Sequence, residues 1–195
     1  MPLTQNIFQP IAQRSLIPNA PPLMTGGLEA QGFVETAGQS FGVADLVYLD
    51  TNGTIAKCTV DGSARLNSKV LGLAEKAAVG VAGSPVNLHV ITPWDVVLMN
   101  VYHSTLASSV TVQTDLGGVF AIQLVNGVWR VDKTMAAPEA NGVKQGYVQV
   151  VGFPTRAPDG TASTIGDTHG LVWVRFNEWT ISADGLAQLR ILQGA

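Results

Sequence analysis

From Leu28 onward, short apolar runs alternate with Gly, Asp, Asn and Pro at the spacing of β-strands joined by tight turns. A first series reads "GFVETAG", "DLVYLD", "TIAKCTV", "VLGLAEKAA", "PVNLHVIT" and "VVLMNV". A second reads "SVTVQTD", "VFAIQLV", "VWRVD", "GYVQVVGFP", "LVWVRFN" and the weaker "AQLRIL". The pattern predicts a mainly β fold: one or two antiparallel barrel- or sandwich-like modules with little helix. The expected division is a β-rich module over 28–101, a second over 102–181 and a C-terminal tail over 182–195. Room for a helical turn exists only around Leu66 to Ala77, in "KTMAAPEANGVKQ" and from Ala183 onward.

Two Asn-Gly turns suggest strand registers, because a type I′ loop needs positive φ at both central residues. In "VYLDTNGTIAKC" such a loop sets Leu49 opposite Ala56, Val47 opposite Cys58 and Tyr48 opposite Lys57. A type I turn with a Gly bulge is the alternative for the same residues. In "IQLVNGVWRVD" it sets Leu124 opposite Trp129 and Ile122 opposite Val131, with Gln123 facing Arg130 and Ala121 facing Asp132. Each hairpin then has an apolar face and a more polar one, which a one-residue slip would mix. In "HGLVWVRF", Leu171 and Trp173 on one side and Val172, Val174 and Phe176 on the other are all apolar. That strand is expected between two packed layers or at a subunit interface.

Residues 1–27 follow a different rule. Prolines at positions 2, 10, 18, 21 and 22 oppose a long helix, and Arg14 is the only charged side chain. Solvated tails are normally polar and charged, yet this one carries Leu3, Ile7, Phe8, Ile11, Leu16, Ile17, Leu23 and Met24. It reads as an extended N-terminal arm lying on its own domain or on a neighbouring subunit. The candidate interaction residues are therefore Ile7, Phe8, Ile11, Leu16, Ile17, Leu23 and Met24.

Composition points the same way. Charged residues are 13% of the chain, against roughly 25% in ordinary soluble domains, so part of the surface is expected to be covered. Eleven scattered Lys and Arg and a net charge of -3 give no footprint for nucleic acid, which needs clustered cations. The single cysteine, Cys58, excludes an intrachain disulfide framework and fits a small buried hydrophobe. No apolar run approaches the ~18 residues of a membrane span. The start "MPLTQNIFQP" lacks signal-peptide grammar, so synthesis in the cytoplasm is expected.

Candidate chemistry is sparse. No P-loop, nucleophile elbow, EF-hand loop or H-E-x-x-H occurs, and His89, His103 and His169 form no motif with any serine. "GDTHG" places Asp167 and His169 two apart in a Gly-bounded loop, as two metal ligands or as a tight turn before a strand. Trp94, Trp129, Trp173 and Trp179 could form a sugar platform, but Trp129 and Trp173 alternate with apolar residues as core or interface positions do. No catalytic residue, metal site or cofactor is expected.

The stretch "GFVETAGQSFGVADLVYLDTNGTIAKCTVDG", then "VLGLAEKAA" and "PVNLHVITPWDVVLMNV", resembles the small β-rich proteins that decorate or cement the heads of tailed bacteriophages. The resemblance is carried by Gly42, Asp45 to Tyr48, Asn52 with Gly53, and Leu71 to Ala74. It extends through "GVWRVDKT", "GYVQVVGFP" and "GDTHGLVWVRF", about residues 30 to 176. It implies a non-enzymatic homo-oligomer, often a trimer, on the capsid exterior at junctions of the major capsid protein, with neither nucleic acid nor membrane as partner. The alternatives are a tail, baseplate or host-glycan-binding virion protein, or an enzyme built on a β-scaffold.

Overall fold

The computed structural model describes residues 33–60, 66–91, 95–134, 139–140, 143–144 and 147–181. The proposed arm, with Ile7, Phe8, Ile11, Leu16, Ile17, Leu23 and Met24, lies outside the described residues, as do Trp94 and the tail 182–195. The fold is mainly β, and its contacts divide it into two compact units.

The first unit holds β1 (Leu46–Leu49), β2 (Ile55–Lys57), β3 (Gly72–Ala74) and β4 (Leu88–Val90) in one antiparallel sheet of order β2-β1-β3-β4. Val47, Ile55, Leu71 and Leu88 pack with Phe33 and Phe41 on one face. Strand alternation puts Leu46 and Cys58 on the other, and both are fully buried. Burial, then the negative charge of Asp45, pushes the Cys58 thiol well above its usual range.

The first hairpin departs from the type I′ register. Val47 pairs with Lys57, Tyr48 with Ala56 and Leu49 with Ile55, one residue earlier than expected. Asp50 is the cause: its Oδ1 accepts the N–H groups of Asn52 (2.8 Å) and Thr54 (2.9 Å). The turn closes with Gly53 N–H to the Asp50 carbonyl (3.0 Å) and Asp50 N–H to the Thr54 carbonyl (2.8 Å). Gly53, at φ +76°, supplies the left-handed residue, so the turn is the type I form with a Gly bulge. Ile55 thereby replaces Ala56 on the face shared with Val47 and Leu49.

The second unit is a closed five-stranded barrel. Its strands are β5 (Val96–Tyr102), β6 (Val119–Val125), β7 (Val128–Asp132), β10 (Val148–Gly152) and β11 (Leu171–Phe176), in the order β10-β11-β5-β7-β6. The short pair β8 (Glu139–Ala140) and β9 (Val143–Lys144) forms a separate two-stranded sheet. All barrel pairings are antiparallel except β5 with β7, which is parallel. In the β6–β7 hairpin all four expected pairs occur, and Asn126 (φ 51°) and Gly127 (φ 77°) make the type I′ turn.

Cross-strand pairing joins Met99 to Val172, Val97 to Val174, Val148 to Phe176 and Ile122 to Val131. These buried residues form one continuous apolar face with Trp129, which is 1% exposed, a core position rather than a sugar platform. On the opposite face of β11, Leu171 packs with Leu98 and Ala157, with Trp173 against them. The strand expected between two layers thus has its outer layer within its own unit.

Three local readings change. "SVTVQTD" is not a strand; it makes one bridge, Val110 to Thr168, and a 3-10 turn over Gln113–Asp115. The buried Asp115 carboxylate accepts Val112 N–H (2.9 Å) and Lys133 Nζ (2.9 Å), folding the segment back. The described part of 66–77 holds β3 and no helix. The units divide at Asp95 rather than at residue 101, because β5 pairs with β11 and β7. The chain returns to the first unit at Glu178–Thr180, where Ile181 bridges Val70.

Candidate functional site

The loop singled out by sequence, Gly166 to Gly170, brings a serine and a histidine together. His169 sits at φ 51°, with Nδ1 2.8 Å from Ser109 Oγ and 3.2 Å from the Val101 carbonyl. Its backbone N–H donates to the Ser109 carbonyl (2.6 Å), and Asn100 Nδ2 donates to its carbonyl (2.6 Å). At Gly170 a side chain is excluded, since a Cβ would stand 2.9 Å from the Asp167 carbonyl and from the Thr111 side chain.

A hydrolytic serine needs an accessible oxygen and a base oriented by a third group. Ser109 is fully buried, and its Oγ already accepts His103 N–H (2.9 Å). Asp167 is occupied locally, accepting Thr164 N–H (2.7 Å) and Oγ1 (2.8 Å) on its two oxygens. The constellation works as a clasp between the loops 103–115 and 164–170. Among the described residues no group of three or more His, Cys, Asp or Glu gathers to hold a metal ion. Of the other two histidines, His103 begins the first of these loops, its Nδ1 accepting Thr105 N–H (2.9 Å), and His89 faces Asp95 at 3.7 Å in the first unit.

The first unit carries a different kind of surface. Glu35 is 1% exposed, and a carboxylate out of water needs donors. It accepts Val79 N–H on both oxygens, at 3.0 and 3.2 Å. Around it, Glu35 N–H meets the Ser84 carbonyl (2.9 Å), Gly83 N–H the Glu35 carbonyl (3.0 Å) and Gly38 N–H the Gly80 carbonyl (2.9 Å). Gly80 and Gly83 take φ +82°, where a side chain would be strained. The loop 77–85 is therefore pinned through its backbone; Ala78 packs against the core, and Val79 and Val81 are exposed.

Val79 is 69% exposed and Val81 60%, and Val43, at 59%, stands on the segment joined to 74–80 by the Ala78–Phe41 and Ala44–Ala74 bonds. No charged residue occurs from Ala77 to Asn87, "AAVGVAGSPVN". Single exposed valines are ordinary. Val79 and Val81 stand on a backbone-fixed stretch, 77–87, that carries no charge, and Val43 lies on the segment bonded beside it, so covering this ledge of valines needs little ordering.

Sequence periodicity gave no sign of this ledge, because Val79 and Val81, though two apart as in a strand, lie in a run of Gly and Ala too short to read as one. The missing charge over 77–87 was the available signal. The barrel unit has a second exposed group, Val112, Leu116, Val151 and Ile165. Bonds from Gly166 N–H to the Thr111 carbonyl and from Gly117 N–H to the Val150 carbonyl tie together the segments that carry it.

Comparison with family models, curated proteins and solved structures gives no match for this chain. No helix among the described residues is long and apolar enough to cross a membrane.

Proposed function

We propose that this chain is a non-enzymatic viral structural protein that binds the assembled bacteriophage capsid from outside, as a decoration or cement protein, and stabilises the shell at capsomer junctions. The observation that carries the reading is the group of exposed valines, Val79 and Val81 on an uncharged stretch held by Glu35, with Val43 on the segment beside it. Support also comes from the low charge of the whole chain, the apolar composition of residues 1–27 and the resemblance of residues 30 to 176 to head-decorating proteins.

The mechanism is thermodynamic. A protein that binds only the assembled shell stabilises it by about 2.7 kcal/mol per site when present at about a hundredfold excess over its Kd. A homo-oligomer multiplies weak contacts by avidity. No chemical step is required, and the major capsid protein is the partner.

The test is to incubate purified protein with expanded capsids lacking it, then measure co-sedimentation and release of the packaged genome on heating. Binding with a rise in the release temperature is expected. Sedimentation with tails instead, or capsids equally robust without it, would overturn the proposal.

A further inference from the structure

We infer that the ledge of Val43, Val79 and Val81 is the seat for the apolar N-terminal arm, residues 3–24, of a second copy of this chain. The inference rests on the proposed role as an oligomeric capsid-binding protein and names the contact that joins its copies.

The first argument is where the described chain begins and which way it points. Phe33 accepts Val86 N–H (3.0 Å), Val34 bridges Pro85 in antiparallel sense, and Glu35 N–H meets the Ser84 carbonyl. Read toward the N-terminus, the backbone thus passes from Ser84 to Val86, away from Val79 and Val81 on the same copy. Residues 1–32, at ~3.3 Å per extended residue, can span up to about 100 Å. The ledge of a second copy lies within that reach, and the direction of the backbone at Phe33 favours it over the ledge of the same copy.

The second argument is chemical match. Residues 1–27 carry one charge, Arg14, and large flexible side chains such as Leu16, Ile17, Leu23 and Met24. The stretch 77–87 carries no charge and presents short, stiff valines, with the Val79 N–H held by the Glu35 carboxylate. Flexible apolar side chains against a fixed apolar floor bury area without leaving an ion unpaired. An arm-to-ledge contact is head-to-tail, and such contacts close into rings when the rotation permits. That geometry suits a cyclic oligomer.

The test uses the full chain. A photo-cross-linking residue replaces Val81, and equal amounts of nitrogen-15-labelled and unlabelled protein are mixed, dissociated by dilution, reassembled and irradiated. Cross-linked peptides should join residues 1–24 of one isotopic form to the ledge of the other. Cross-links confined to one isotopic form, or none to residues 1–24, overturn the inference. In parallel, V81D should raise the dissociation constant of self-association about tenfold or more, by burying a carboxylate against the arm, with the circular dichroism spectrum unchanged. Val79→Ser provides a milder second variant.

In a double-mutant cycle, V81D should add nothing once residues 2–24 are deleted; additive losses would overturn the seat. Capsid co-sedimentation of the unaltered chain is scored separately. Capsid binding without the cross-link removes the seat alone, and the cross-link without capsid binding removes the capsid reading alone.

Discussion

Asp50 shows how far one side chain can set local structure. Its carboxyl is held at about 2, against an ordinary 3.8, chiefly by the Thr54 backbone N–H; slight burial opposes this, and the Thr54 and Thr36 hydroxyls and the Asn52 N–H add to it. Because the folded value is the lower one, Asp50 contributes stability above about pH 4 and loses it as the pH falls through about 2. Asp50→Ala should therefore melt at a lower temperature than the parent at pH 6, and the gap should narrow as the pH falls from 4 to 2. Thermal melts at several pH values measure it, and a gap of constant size would sink the account. The same residue explains why the first register was not readable from alternation. Ala56 with Cys58 and Ile55 with Leu49 are both acceptable apolar sets, and the buried sheet accepts either. The carboxylate's hold on the Asn52 and Thr54 amides, together with the bonds of Ile55 to Val34 and Thr36, selects the observed one.

At the scale of elements, legibility tracked the range of the interactions involved. The β6–β7 hairpin was readable because Asn126 and Gly127 encode its turn locally and "VFAIQLV" and "VWRVD" alternate cleanly around it. "SVTVQTD" alternates as well, yet its fate is decided by Lys133, eighteen residues beyond Asp115 in sequence. The Ser109–His169 clasp, sixty residues apart, was equally hidden. Gly72 in β3 is a further long-range constraint: a Cβ there would stand 2.3 Å from the His89 carbonyl oxygen of β4, a backbone atom that has little freedom to yield. Gly72→Ala should prise β3 from β4 and cost about 1–3 kcal/mol or more, as overpacking does in tight cores. Urea denaturation would show this as a lower midpoint, and a midpoint equal to the parent's would show that the strands part without strain.

At the scale of the whole molecule, each unit has a buried core of its own among the described residues. The first is built around Phe33, Phe41, Val47, Ile55 and Leu71, and the barrel around residues such as Met99, Ile122, Trp129 and Phe176. Barrel closure was not readable, since it depends on pairs such as Val148 with Phe120 and on the parallel match of Asn100 with Arg130. What was readable is the contrast between these strand-rich segments and an apolar, proline-interrupted N-terminus. If the N-terminus serves association rather than folding, removing residues 2–24 separates the two properties. The truncated chain should keep its far-ultraviolet circular dichroism and its cooperative melt, because the buried strands remain complete. Its sedimentation should shift toward smaller species, and capsids incubated with it should release their genome at a lower temperature than capsids bearing the full chain. Loss of the β spectrum on truncation would instead assign the segment to the fold, and the surface left for partners would shrink to the ledge and the barrel-unit group of Val112, Leu116, Val151 and Ile165.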